Sequence, residues 1–395
     1  MSRPAILGGA PAFPDGLPFA RPARPPLERV VERLRPSYER GTLTDGPLVR
    51  ELEAQVADRL GVRHVVATSS CSSGLLLALR VLAPGRGAVV LPSFTFSASA
   101  HAVAWNGLEP RFAECDADRF QLDPGDAERR LEGAGTLLPT HVFGAPCAAE
   151  RFEELARRAG IPLVFDAAHA FGALRRGRPV GGFGDAEVFS LTPTKPLVAG
   201  EGGLVATRHD EVAERLRWGR NYGNPPGDYD TRFVGLNARM SELHAAVALE
   251  ALAGFEAHLA RRRELAARYH THLEQIPGVS AQAVDPDDSS TYKDFTVAVE
   301  PEVYGIGRDA LVSALRAEGV DTRCYFWPPV HLQQAYAPAA TVDLPVTVHV
   351  AHRVVSLPIY PDLSEAAVDA VAEVLARLQR AGPDVDAAVA AGSRG

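Results

Sequence analysis

The chain has 395 residues, 46% of them hydrophobic and 23% charged, with a net charge of −8. That is globular composition with length for about two domains, and the negative balance argues against a sequence-independent nucleic-acid binder, which needs a basic face. The start, "MSRPAILGGAPAFPDG", is broken by Pro and Gly and lacks an apolar signal core, and no apolar run approaches the ~20 residues of a membrane span.

Residues 1–28, rich in Pro and Gly, read as an arm lying over a surface. The stretch "PLVRELEAQVADRLG" (47–61) carries leucines and valines at helical spacing and ends at Gly61, a C-terminal cap. Short apolar runs then alternate with helical patterns. "HVVATS" (64–69) reads as a strand and "GLLLALRVLA" (74–83) as a helix; "GAVVLPS" (87–93) is a strand and "TFSASAHAVAWNG" (95–107) a helix. The alternation continues through strand "EPRFAECD", helix "DPGDAERRLEG", strand "GTLLPTHVFG" and helix "RFEELARRAG" to strands "PLVFDAA" and "EVFSLT". Near-continuous apolar strands separated by helices predict an α/β fold, a mostly parallel sheet covered on both faces. Ligands then bind at the carboxyl ends of the strands.

A long helix is expected from near Asn237 to about 278, broken only at Gly254. It carries the chain from a large domain (1–254) into a smaller α+β domain (255–382), with strands in "DFTVAVE", "VDTRCYFWP" and "HRVVSLPIY". Residues 383–395 read as a flexible tail. The four cysteines (Cys71, Cys115, Cys147, Cys324) show no CxxC or metal-ligand spacing, which predicts reduced thiols in a cytoplasmic protein and no metal site.

Four features fall at the predicted strand ends. "SSCSSG" (69–74) joins a strand to a helix start, where hydroxyls and free backbone N–H groups suit an anion; Ser72 or Ser73 capping the helix is the plainer role. Phe96 offers an aromatic face on a loop. Asp166 ends the apolar run "IPLVFD", where a carboxylate must find a donor, whether a ligand or the next helix start, and His169 follows three residues on. Lys195 sits in "SLTPTKPLVAGEGG", five residues after Ser190 and just before a glycine cluster. A loop lysine is ordinarily solvated, but one held in a desolvated pocket becomes a nucleophile able to form a Schiff base. Together these supply what pyridoxal 5′-phosphate requires: an anion cradle, a stacking face, a carboxylate for the pyridine nitrogen and an amine for the aldehyde.

With these motifs, and with "GTLTDGPLVRELE", "PTHVFGAPC", "VFDAAHAFGA", "GLNARMSELHAA" and "SLPIYPDLSE", the chain resembles the DegT/DnrJ/StrS family of pyridoxal-phosphate sugar aminotransferases over nearly its whole length. The resemblance implies a fold type I transferase, with a three-layer αβα large domain and a smaller C-terminal domain. It implies that Lys195 is the Schiff-base lysine and acid/base, that Asp166 binds the pyridine nitrogen, and that His169 lies on the ring's hydroxyl side. Phe96 would stack on the ring, and Ser72, Ser73 and Ser190 would hold the phosphate. Asn237 would reach the phosphate of a neighbouring subunit, so the protein would be a homodimer with shared sites. Substrate contacts would come from Thr42, Thr44, Arg239, Tyr325 and His331, with domain packing the plainer role for the last two. The implied reaction moves an amino group from glutamate or glutamine to a keto sugar, nucleotide-linked, or to a keto-cyclitol. A dehydratase or epimerase on the same scaffold and a non-catalytic relative are the competing classes. Two departures from the family pattern stand out: Thr192 occupies a position where relatives often carry His, and "GLNARM" lacks the more familiar flanking aromatic.

Overall fold

The computed structural model describes residues 3–83, 85, 87–337 and 342–392. The elements in chain order are α1 (Leu27–Glu39), α2 (Pro47–Leu60), β1 (His64–Thr68), α3 (Cys71–Leu82), β2 (Ala88–Pro92), α4 (Ser97–Trp105), β3 (Glu109–Ala113), α5 (Pro124–Arg129), β4 (Ala134–Leu137), α6 (Ala149–Ala159) and β5 (Val164–Asp166). A two-stranded hairpin follows, β6 (Leu174–Arg175) and β7 (Arg178–Pro179), and then β8 (Ala186–Ser190), β9 (Gly203–Thr207), α7 (Asp210–Gly219), α8 (Glu242–Ala253) and α9 (Phe255–Leu273). The remainder contains β10 (Val279–Ala281), β11 (Phe295–Val299), α10 (Pro301–Tyr304), α11 (Arg308–Ala317), α12 (Pro345–Arg353), β12 (Val354–Leu357), α13 (Glu365–Arg380) and α14 (Gly382–Gly392).

The main sheet has two ladders, β3-β2-β4 and β5-β8-β9-β1. Parallel bridges Leu137 to Leu163 and Thr140 to Asp166 join them, giving the order β3-β2-β4-β5-β8-β9-β1. Strand β9 runs against both neighbours, while β2 with β3 and β4, and β5 with β8, are parallel. The ends of β1, β2, β5 and β8 therefore lie along one edge, with the start of β9 among them. This is a mostly parallel sheet of the fold type I kind, with helices on both faces. Leu75, Leu79 and Val103 pack on one face, and Leu52, Val56, Ala245 and Leu249 on the other.

Close approach at two glycines sets α3 against the sheet. A Cβ on Gly74 would stand 2.8 Å from Val188 Cγ1, and one on Gly203 would stand 2.5 Å from the Ser70 carbonyl oxygen. Neither position has room for a side chain, so the start of α3 lies directly over β8 and β9.

A second core is built on the three-stranded sheet β10-β11-β12 with α11 and α13. Helix α9 serves both cores: Phe255 and Leu259 pack with the first, and Leu265, Tyr269 and Leu273 with the second. The amino-terminal arm lies on the second core. Leu17 pairs with Val320, and the Ala5 and Ala12 N–H groups donate to Glu318 at 2.8 and 2.9 Å.

Three expectations are corrected. The long helix begins at Glu242, capped by Ser241, because Asn237 pairs with Asn221 in an antiparallel bridge and keeps residues 237–240 extended. "VDTRCYFWP" forms no strand; Arg323 makes only an isolated bridge to Ser356. The tail expected over 383–395 is helical to Gly392, because Val385 is buried in the second core and Val389 packs beside it one turn later; residues 393–395 lie outside the described residues.

One buried carboxylate organises the approach to α2. Glu242 is fully buried and accepts from the N–H groups of Gly46, Leu48 and Val49 at 3.0 to 3.1 Å and from Ser37 Oγ at 2.8 Å. These are donors that the start of α2 would otherwise leave unsatisfied. Glu242→Ala should lower the unfolding free energy by about 3 kcal/mol or more, measured by urea denaturation; a loss below about 1 kcal/mol would contradict this role.

Candidate active site

A cavity of about 300 Å³ opens along the edge where β1, β5 and β8 end. Its wall includes Ser70, Ser72, Phe96, Asp166, His169, Ser190, Thr192 and Lys195 from the large core, and Lys293, Tyr325 and Phe326 from the second.

Lys195 reaches it from a tight loop. Ala199 N–H donates to the Leu191 carbonyl at 2.7 Å, Leu191 N–H to that of Gly202 at 2.9 Å, and Lys195 N–H to that of Thr192 at 3.0 Å. Thr192 thus fixes the turn through its backbone, and its Oγ1 lies 3.3 Å from Ser190 Oγ. Burial lowers the Lys195 pKa from 10.5 to about 8, assisted by the nearby Lys293 charge and opposed by Asp294, Cys71 and Asp166. An amine held near 8 is neutral often enough at physiological pH to act as a nucleophile.

Asp166 is 4% exposed at the end of β5. Its Oδ2 accepts from Ser99 Oγ at 2.6 Å and its Oδ1 from Ala168 N–H at 3.0 Å. Burial raises its pKa, while the Ser99 and Ala168 donors, Lys195 and His141 act the other way. Among the described residues no side-chain cation hydrogen-bonds the carboxylate, and each oxygen keeps acceptor capacity toward the cavity. That suits a protonated ring nitrogen.

His169 Nδ1 accepts from Phe143 N–H at 3.1 Å, which leaves the proton on Nε2, and its ring lies against Phe143 and Phe326 with centroids 6.4 and 6.5 Å away. Burial and the Lys195 and Lys293 charges hold it neutral. Phe96 precedes α4 with 57% of its surface exposed, an uncovered ring at the cavity wall.

The serine cluster divides its labour differently from the expectation. Ser70 caps α3, and Ser73 is its reciprocal partner: Ser73 N–H donates to Ser70 Oγ, and Ser70 N–H to Ser73 Oγ, both at 3.1 Å. Ser73 is absent from the cavity wall, whereas Ser70, Ser72 and Ser190 are on it. Hydroxyls at the start of a helix of 12 residues, beside an acceptor-rich carboxylate and an amine, fit an aromatic cation bearing a phosphate.

Besides Ser73, five expected residues lie off the cavity. His331 is 3% exposed, with Nδ1 2.6 Å from Ser93 Oγ, so its ring is held by the segment that follows β2. Thr42, Thr44, Asn237 and Arg239 stand together elsewhere. Thr44 Oγ1 donates to the Met240 carbonyl at 3.2 Å, and Arg239 donates to Asn237 Oδ1 and Asn221 Oδ1 at 3.1 and 3.2 Å. This group is tied to the start of α3, because Ser69 N–H donates to the Ala238 carbonyl at 2.8 Å. Tyr325 does line the cavity, and Ser99, Thr95, Thr140, Lys293 and Phe326 join the site without having been expected. Ser99 gives no signal in a helix of small residues; Lys293 and Asp294, charges just before an apolar strand, could have been noticed.

The family model of the DegT/DnrJ/EryC1/StrS aminotransferase family matches residues 27–376. The chain belongs to this family. It is 38% identical over 345 residues, 85% of this chain and 89% of the other, to dTDP-3-amino-3,4,6-trideoxy-alpha-D-glucose transaminase of Streptomyces venezuelae. It is 32% identical over 382 residues, 91% of this chain and 96% of the other, to the spore coat polysaccharide biosynthesis protein SpsC of Bacillus subtilis (strain 168). The crystal structure of DesI in the presence of its TDP-sugar product superposes with a TM-score of 0.91 at 38% identity, covering 97% of this chain and 98% of that one.

Two outcomes test the site. Lys195→Ala should abolish the absorbance band of enzyme-linked pyridoxal phosphate. In the wild type, the rate at which cofactor-free protein acquires that band should rise with pH about a midpoint near 8, since the lowered pKa of Lys195 means the reactive neutral amine accumulates above that value. A midpoint near 10.5 would show an ordinary solvated lysine.

Proposed function

We propose that this protein is a pyridoxal-5′-phosphate-dependent aminotransferase that moves an amino group from glutamate or glutamine to the keto carbon of a nucleotide-linked sugar. The observation that carries the reading is Lys195 and the buried Asp166 on one cavity, beside the Ser70, Ser72 and Ser190 hydroxyls. The names of the relatives, a dTDP-sugar transaminase and a structure with a TDP-sugar product, support the acceptor class.

When bound, pyridoxal phosphate supplies an electron sink for the bonds at the reacting carbon. The chain's own residues do the rest. Asp166, held by Ser99 and Ala168, would keep a proton on the ring nitrogen. Ser72 and Ser190 would hold the phosphate at the start of α3, Phe96 would cover the ring, and neutral His169 would offer its Nε2 proton to the ring oxygen. Lys195 Nζ would take and return the proton at the substrate's amino-bearing carbon, and its pKa near 8 suits both at neutral pH. Retention of this amine favours transamination over dehydration.

The working unit in this reading is a homodimer. Thr42, Thr44, Asn237 and Arg239 lie off their own cavity, and Leu27, Val31, Tyr38 and Leu43 on and beside α1 expose large apolar side chains. A second copy would cover these apolar groups and bring Asn237 and Arg239 to the neighbouring site. Among the described residues no helix is long and apolar enough to cross a membrane.

With glutamate and a panel of nucleotide keto sugars, the holoenzyme should release one keto acid per sugar aminated; sugar conversion without keto acid release would instead indicate a dehydratase or epimerase. Shared sites predict complementation. Random mixing of Lys195→Ala with an Asn237→Ala/Arg239→Ala double variant should restore about a quarter of wild-type activity, because half the dimers are mixed and each has one intact site. No restoration would place each site within a single chain.

A further inference from the structure

The cavity contains a second lysine that the reaction above does not use. Lys293 is 5% exposed, immediately precedes Asp294 and β11, and stands on the wall formed by the second core. Its Nζ is 2.7 Å from Asp294 Oδ1 and 5.5 Å from the centre of the Tyr325 ring, which lines the same wall. The backbone beneath is pinned by Arg262, 4% exposed, whose Nη1 donates to the Ile359 carbonyl at 3.0 Å and approaches those of Tyr292 and Lys293 at 3.3 and 3.5 Å. Asp294 Oδ2 is buried without a hydrogen-bond partner.

A buried ion pair that only balances itself gains little over apolar residues of the same volume. This pair does more than that: the ammonium has three donors, one goes to Asp294, and the others are available at a ligand cavity. Among the described residues lining the cavity, the side-chain cations are Lys195 and Lys293, and no arginine is present. Lys195 is committed to the cofactor and the proton.

Resting on the aminotransferase reading, we propose that Lys293 binds the α-carboxylate of the amino-acid donor. An aminotransferase takes two ligands in turn at one reacting point. In a nucleotide-linked keto sugar the reacting carbon is uncharged and separated from the diphosphate by part of the ring. In an amino acid the carboxylate is bonded directly to the reacting carbon, so the cation that holds it must face the same small cavity as Lys195. Lys293 does. Asp294 keeps the ammonium aimed and balances its charge when the uncharged part of the sugar is in place, so one wall accepts both ligands.

The test uses holoenzyme and follows the glutamate half-reaction by cofactor absorbance without sugar, with glutarate binding measured by calorimetry. Lys293→Met should raise the half-saturating concentrations of both L-glutamate and L-glutamine by about ten- to a hundredfold, as expected for one charge-assisted hydrogen bond. Glutarate affinity should fall likewise, while the KM for the keto sugar stays within about twofold. Lys293→Arg should retain most donor affinity, and a Lys293→Met/Asp294→Asn variant, free of an uncompensated buried carboxylate, should show the same donor loss if Lys293→Met alone folds poorly. Unchanged donor and glutarate affinity in the Met variants, a loss confined to the sugar, or a donor loss produced by Arg239→Met instead would overturn the proposal. A wild-type holoenzyme with no spectral response to glutamate would overturn the aminotransferase reading itself.

Discussion

The site depends on a carboxylate buried where water hardly reaches it. Asp166 ends β5 in the middle of the sheet, and burial alone pushes it toward its neutral form. What offsets that cost is local: the Ser99 hydroxyl from α4, the Ala168 N–H from its own turn, and the Lys195 charge. The remaining compensation is left for a ligand. In the proposed reading a protonated aromatic nitrogen supplies it, so the same desolvation that makes Asp166 costly would make it specific.

The sheet order turns this local feature into a site. Residues far apart in the chain, Ser70, Asp166 and Ser190, meet because β1, β5 and β8 end on one edge, and Gly203 lets the start of α3 sit directly over β8 and β9. The second core closes the cavity with Lys293, Tyr325 and Phe326, and helix α9 runs through both cores.

Much of this was legible in the sequence because it rests on local signals. The strand–helix alternation, the Gly61 cap, the strand-end Asp166 and the Ser190–Lys195 spacing each follow from short-range chemistry. Features set by tertiary contacts were not legible. Ser70, rather than Ser72 or Ser73, caps α3, a shift of two or three residues. Strand β9 follows the glycine cluster without a strong pattern of its own, and its place comes from pairing with β1 and β8. "VDTRCYFWP" has strand-like composition, yet its backbone has only isolated partners. Residues 383–392 look frayed until Val385 is seen in the second core. The resemblance implied His331 as a substrate contact, but Ser93 claims its ring.

The central claim is that Asp166 holds the proton on the cofactor's ring nitrogen, and nitrogen NMR of holoenzyme reconstituted with ring-15N pyridoxal phosphate reads that proton directly. A pyridinium resonance is expected at neutral pH in the wild type, shifting to the neutral pyridine position in Asp166→Asn. A neutral ring nitrogen in the wild type would contradict it.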